Sequence, residues 1–217
     1  MSNITGTIAL PTPIVSTMWL AQHLGAPHVK VIDASLYLPN ANRNARAEFD
    51  ASHIPGAVFA DLSVLSDERA PFPHTLLDAA RFAERIGALG VGSDDAIVVY
   101  DTSGQNFSAP RLWWMLRTFG HDNVAVLDGG FEKWTMESRD VTSEATVVIP
   151  ATFHAMFNAA RVRNINDMRA NLEAYAAQVV DARSWPWRIP AGIQIARLGG
   201  ATQEPTSVHA VITPVET

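Results

Sequence analysis

The sequence predicts an α/β fold with a central parallel sheet and helices on both faces, and three observations predict it. Ala96-Ile97-Val98-Val99-Tyr100 is an uncharged run of mostly β-branched and aromatic type, the pattern of a strand buried on both faces. A polar, glycine-bearing loop follows, and after it Leu112, Trp113, Leu116 and Phe119 recur at helical spacing. Other short apolar runs, Val29 to Ser35 and Val124 to Asp128, are set among helical patterns in the order of an α/β layer architecture. In open parallel sheets ligands bind where the carboxyl end of a central strand meets a helix amino terminus. The loop from Asp101 to Arg111 is therefore the first place to look for chemistry.

Taken in order, residues 1–14 read as a flexible arm. Ser16 or Thr17 caps a short helix through Leu24 that turns Trp19, Leu20 and Leu24 inward. Val29 to Ser35 is a strand with an acidic end, followed by a polar, arginine-bearing loop from Asn40 to Arg46. Pro55-Gly56 marks a turn before a short strand at Val58-Phe59-Ala60. Leu76 to Leu89 has helical periodicity closed by Gly90. The helix after the central loop ends at Gly120, Val124 to Asp128 is a buried strand, and Gly129-Gly130 turns the chain into Phe131 to Met136.

Residues 139–164 read as a linker with one extended piece, Thr146 to Ile149. Beyond it a helix from Ile165 to Gln178 and a strand from Val179 to Ser184 repeat the opening module, Thr17 to Leu24 followed by Val31-Ile32-Asp33-Ala34-Ser35. The interval from Asp33 to Asp181 is long enough to hold a domain, so the chain reads as an internal duplication. Residues 15–138 are then a complete domain and 165–184 the start of a second. Residues 185–217, rich in Pro, Gly, Thr and Ala, read as an irregular tail unable to build the rest of a second sheet.

Composition limits the function. A length of 217 residues holds one domain plus part of another, and 47% hydrophobic with 18% charged residues is a globular balance. A net charge of −6 without a cluster of Lys and Arg speaks against a nucleic-acid partner. No apolar run reaches the ~18 residues of a membrane span, and the amino terminus lacks the layout of a secretion signal, so a soluble cytoplasmic protein is expected. The chain has no cysteine, which removes disulfides, thiolate metal sites and a cysteine nucleophile. Seven histidines lie without metal-ligand spacing and Gly129-Gly130 lacks the spacing of a phosphate loop, so neither metal nor cofactor is expected.

Four motifs carry a resemblance: Val31-Ile32-Asp33-Ala34, His53-Ile54-Pro55-Gly56-Ala57, Phe107-Ser108-Ala109-Pro110-Arg111-Leu112-Trp113-Trp114, and Leu127-Asp128-Gly129-Gly130-Phe131-Glu132-Lys133-Trp134. In this order and spacing the chain resembles the tandem rhodanese-like sulfurtransferases, which act on thiosulfate or 3-mercaptopyruvate, from about Val15 to Ser184. The resemblance implies a first rhodanese domain without a nucleophile, and a second whose active loop carries a cysteine that accepts sulfur as a persulfide. The loss of resemblance after Ser184 suggests a truncated or frameshifted second domain.

The resemblance also implies roles for single residues. Asp101 stands where the cysteine of an active copy would be. A carboxylate is a poor nucleophile toward sulfane sulfur and repels thiosulfate, so Asp101 reads as a structural remnant capping the next turn or helix rather than a ligand contact. Arg111 reads as support for the linker or interdomain face, His53 as a turn-stabilising donor, and Trp113 and Trp114 as packing, with one of the pair facing a partner domain. His74, in Pro73-His74, is a substrate-facing candidate by resemblance, although Thr75-Leu76-Leu77 and Ser63 depart from the family pattern around it. Arg183 and Arg188 are candidates for binding the substrate anion, a task suited to a forked guanidinium.

Two function classes follow, with a third behind them. One is a thiosulfate or 3-mercaptopyruvate sulfurtransferase that is inactive alone, taking these substrates only if a catalytic domain is supplied. The other is a non-catalytic rhodanese-like module that binds another protein or itself through the interdomain face. A hydrolase using Ser103 or Ser108 lacks identifiable His and acid partners.

Overall fold

In a computed structural model, described over residues 8–103, 107–181 and 210–214, the chain forms two units, residues 1–158 and 159–217. The first is organised around β4 (Ala96–Tyr100), in which every residue is buried. β4 pairs in parallel with β2 (Val29–Asp33) on one side and β5 (Val124–Leu127) on the other. Two-residue strands close the edges: β1 (Ile14–Val15) lies beside β5 and β3 (Val58–Phe59) beside β2, giving the parallel order β1-β5-β4-β2-β3.

Side chains alternate between the faces of a strand. Ile97 and Val99 of β4 accordingly enter one core, and Ala96, Val98 and Tyr100 the other. Two helices, α3 (Ala79–Ala88) and α4 (Ala109–Thr118), cover the first face with Phe82, Ile86, Leu112, Met115 and Leu116. Helices α1 (Thr17–His23), α2 (Ala45–Ala51) and α5 (Gly130–Met136) cover the second with Leu20, Phe49 and Trp134. Helices of 7 to 10 residues are marginal in isolation. Burial of their apolar faces, about 1.5–3 kcal/mol for each large side chain, holds them in place. Caps assist: the side chains of Ser16, Asn44 and Asp78 accept the N–H of Trp19, Ala47 and Arg81.

The structure corrects several expectations. The arm expected to be flexible over residues 1–14 is tied down from Ile8 onward. Asn123 accepts the Leu10 N–H at 2.9 Å and donates to the Ile8 carbonyl at 2.8 Å, and Ile14 and Val15 join the sheet. Helix α2 starts inside the loop expected from Asn40 to Arg46 and ends before the Pro55-Gly56 turn. Its signals were the Asn44 cap and the single buried Phe49, too short a pattern to separate from a loop. Residues 139–158 form a strap fastened along the first unit. Thr142 pairs with His53, the Thr146 hydroxyl donates to the Ala57 carbonyl at 2.7 Å, Met156 N–H donates to Phe119 O at 2.9 Å, and Phe153 is buried.

In the second unit, α6 (Ile165–Ala174) opens with a capping box between Asn164 and Asp167. It ends at Tyr175, whose φ of 48° terminates the helix short of the expected Gln178. β6 (Ala177–Asp181) pairs antiparallel with β7 (Ala210–Pro214). The tail expected to be irregular over 185–217 therefore contains a strand. Val211, Ile212 and Thr213 are β-branched, and the ladder that makes them a strand comes from a distant segment.

Candidate functional site

β4 delivers Asp101 to the lip of the sheet, in front of the amino terminus of α4. Asp101 is buried, and its Oδ2 accepts the backbone N–H groups of Ser108 and Ala109, each at 2.8 Å. Its Oδ1 accepts the Ser103 N–H at 3.0 Å and the Ser103 hydroxyl at 2.5 Å. Ser108 is the N-cap and Ala109 the first residue of α4. The carboxylate thus fills the positive end of the helix dipole, where free N–H groups would otherwise hold an anion.

A polar chain secures the same loop from the β2 side. Thr102 N–H donates to Ser35 Oγ at 3.0 Å, and Leu36 N–H donates to Ser108 Oγ at 3.1 Å. The Tyr37 hydroxyl meets the Thr102 hydroxyl and donates to Glu48 Oε2 at 2.6 Å. Arg43 grips the same carboxylate through Nε at 2.9 Å and Nη2 at 2.6 Å, with its guanidinium 3.9 Å from the centre of the Tyr37 ring. Partial burial, with the Glu48 carboxylate adding to it, pushes the Tyr37 phenol up to about 12. The hydrogen bonds from Arg43 hold Glu48 below the usual carboxylate range. Sequence reading missed Tyr37, Arg43 and Glu48, whose one signal was a polar loop of unspecified course.

Asp33 stands at the end of β2, fully buried. Its Oδ1 accepts the Ser35 N–H at 2.8 Å, and its Oδ2 has no hydrogen-bond partner among the described residues. Burial raises its carboxyl to about 6, against the opposing pull of the Ser35 hydrogen bonds. Burial also pushes the neighbouring Tyr100 phenol well above its ordinary value, and the Asp33 charge adds to that shift.

The other candidates are dispersed. His53 is buried and stacked on Phe49 with ring centroids 4.1 Å apart, its Nδ1 2.7 Å from the Phe49 carbonyl and its Nε2 3.2 Å from the Glu144 carbonyl. It fastens the strap, far in role from a base. His74 is half-buried with φ of 59°, and its carbonyl accepts a hydrogen bond from Arg111 Nη2. Arg111 lies 4.8 Å from the centre of the half-buried Trp114 ring. The Trp113 indole donates to the Val124 carbonyl at 3.0 Å. Arg183 and Arg188 lie outside the described residues. Ser103 and Ser108 spend their hydroxyls on Asp101 and Leu36.

A cavity of about 150 Å³ lies under the strap, lined by Lys30, Val31, Val58, Leu89 and Val148 among others, and no described residue of the Asp101 loop lines it. Among the described residues no group of acidic or histidine side chains is arranged to hold a metal, and no helix is long and apolar enough to cross a membrane.

Comparison with known proteins gives this geometry a lineage. A family model described as Rhodanese-like domain matches residues 16–137. Over 176 residues the chain is 43% identical to human 3-mercaptopyruvate sulfurtransferase and 42% identical to bovine thiosulfate sulfurtransferase. Each match covers 79% of this chain and 59% of the relative, so the chain spans less than two thirds of the length of these proteins. Among solved structures, the 3-mercaptopyruvate sulfotransferase SseA of Escherichia coli superposes with a TM-score of 0.74 at 40% identity, covering 80% of this chain and 66% of that one.

Proposed function

The chain belongs to the rhodanese-like family, and from that premise we propose that it is a domain of the thiosulfate and 3-mercaptopyruvate sulfurtransferase class that transfers no sulfur by itself. The observation that carries the proposal is the Asp101 carboxylate seated on the Ser108 and Ala109 N–H groups, in a chain without cysteine. Sulfane sulfur transfer needs a soft nucleophile that can hold the sulfur in a stable S–S bond, which a thiolate does and a carboxylate oxygen does not. The cradle that would bind such an anion is already occupied by a covalently attached one. Thiosulfate and 3-mercaptopyruvate become substrates only when a cysteine-bearing domain is supplied.

The test is direct. The purified chain is given thiosulfate with cyanide, and separately 3-mercaptopyruvate with a thiol acceptor. Thiocyanate and sulfide release should match the protein-free blank, and release above it that scales with chain concentration would refute the proposal.

A further inference from the structure

The cavity beneath the strap combines aliphatic walls with a single charge. Val58, Leu89, Val148 and Ile149 give it apolar surface, and among the described residues Lys30 is the only ionisable one that lines it. Side chains alternate along a strand, so Lys30 shares with Ile32 the face of β2 that α3 covers. It is partly buried there. Of the chain's two lysines, Lys133 reaches Asp128, whereas Lys30 has no ion pair or side-chain hydrogen bond among the described residues. The Thr146 hydroxyl, the other polar side chain on the wall, is engaged by the Ala57 carbonyl.

The strap is fastened on both sides of this space. Thr146 donates to Ala57 O at 2.7 Å on one side, and Ala151 N–H to Gly87 O at 2.9 Å on the other. Between them Val148, 39% exposed, turns toward the cavity, while Val147 and Ile149 are 87% and 78% exposed. The strap already lies close on Gly90, where an added Cβ would stand 3.0 Å from the Ile149 carbonyl oxygen, so it cannot sink to fill the gap. A volume of about 150 Å³ is enough for an apolar site to admit a benzene ring. We propose that the cavity binds a small monocarboxylate, its carboxylate on the Lys30 ammonium and a hydrocarbon body of about six carbons against Val58, Leu89 and Val148. One unpaired ammonium calls for one negative charge, and aliphatic walls give water few partners, so an apolar body displaces it favourably. No described residue of the Asp101 loop lines the cavity, so the proposal goes beyond the sulfur chemistry and does not depend on it.

The test titrates isotopically labelled chain at neutral pH and fixed ionic strength with benzoate, with benzamide and with acetate, following the Val58, Leu89 and Val148 methyl resonances. A saturable shift is expected with benzoate. Binding should be about tenfold weaker or worse with benzamide, which keeps the shape without the charge, and with acetate, which keeps the charge without the body. In Lys30→Met benzoate should lose its advantage over benzamide. Absence of a saturable shift at those methyls, benzamide or acetate binding as tightly as benzoate, or a preference for benzoate that survives in Lys30→Met would each overturn it. The three probes are compared on the unaltered chain, so the result stands even if the variant folds poorly.

Discussion

Gly87 of α3 and Ala151 of the strap meet main chain to main chain. The Ala151 N–H donates to the Gly87 carbonyl at 2.9 Å, and a Cβ on Gly87 would stand 2.4 Å from the Ala151 carbonyl oxygen. This contact seats Phe153 against Phe82 at 6.1 Å and His121 at 5.6 Å, centroid to centroid.

Gly87→Ala should therefore destabilise the chain although alanine is the better helix former. The propensity gain is about 1 kcal/mol, whereas the clash is with backbone, which has no rotamer to yield, and overpacking of this kind costs about 1–3 kcal/mol. Phe153→Ala should cost about 3–5 kcal/mol. Urea denaturation measures both, and limited proteolysis should cut Gly87→Ala within residues 139–158 before the sheet. A strap as resistant as in the parent chain would refute the contact's role.

Asp33 should make stability fall as pH rises through the acid range. Its folded carboxyl sits at about 6, above its ordinary value of 3.8. A group raised in the folded state contributes stability that is full below its unfolded value and lost as pH climbs through the folded one. Between pH 4 and pH 7 the parent should lose about 2 kcal/mol relative to Asp33→Asn. Chemical denaturation of both chains across that range reads the difference, and parallel curves would refute it.

Much of this was legible in the sequence because the signals were local. β4 announces itself by five uncharged residues, α3 by a long apolar period, and Asp101 by standing between a strand and a helix. What was not legible depends on pairing across distance. β1 is two residues long and exists only because β5 lies beside it, and β7 exists only through β6. The strap has no period because it follows the contours of α3 and α4 rather than its own hydrogen-bond pattern. Within the site, the Arg43–Glu48 grip is formed by residues five apart, across a turn whose path no propensity specifies.

Tyr37→Phe should loosen the Asp101 loop without unfolding the chain. The variant removes the hydroxyl that joins Glu48 to Thr102, while Arg43 still holds Glu48 and Ser35 still holds the Thr102 N–H. A loss of about 1 kcal/mol is expected. Amide exchange should quicken at Thr102 and Ser103 and stay unchanged in β4. Unaltered protection at both positions would show that the loop is held from the α4 side alone.

Asp101→Ala should be the most damaging single change at the sheet's lip. It strands the Ser108 and Ala109 N–H groups and the Ser103 pair at once, and each buried donor left without an acceptor costs about 1–3 kcal/mol. A net loss of about 3 kcal/mol or more is expected. Asp101→Asn should recover little of it, because any orientation of the amide aims an N–H₂ at donors. The emptied cradle remains a helix amino terminus with converging N–H groups, so sulfate should bind there and return part of the lost stability. In thermal denaturation at matched ionic strength, sulfate should raise the midpoint of Asp101→Ala more than that of the parent, in which the carboxylate already fills the place. Equal shifts in the two chains would mean that the cradle collapses once the side chain is removed, and that Asp101 builds the anion site rather than occupying one.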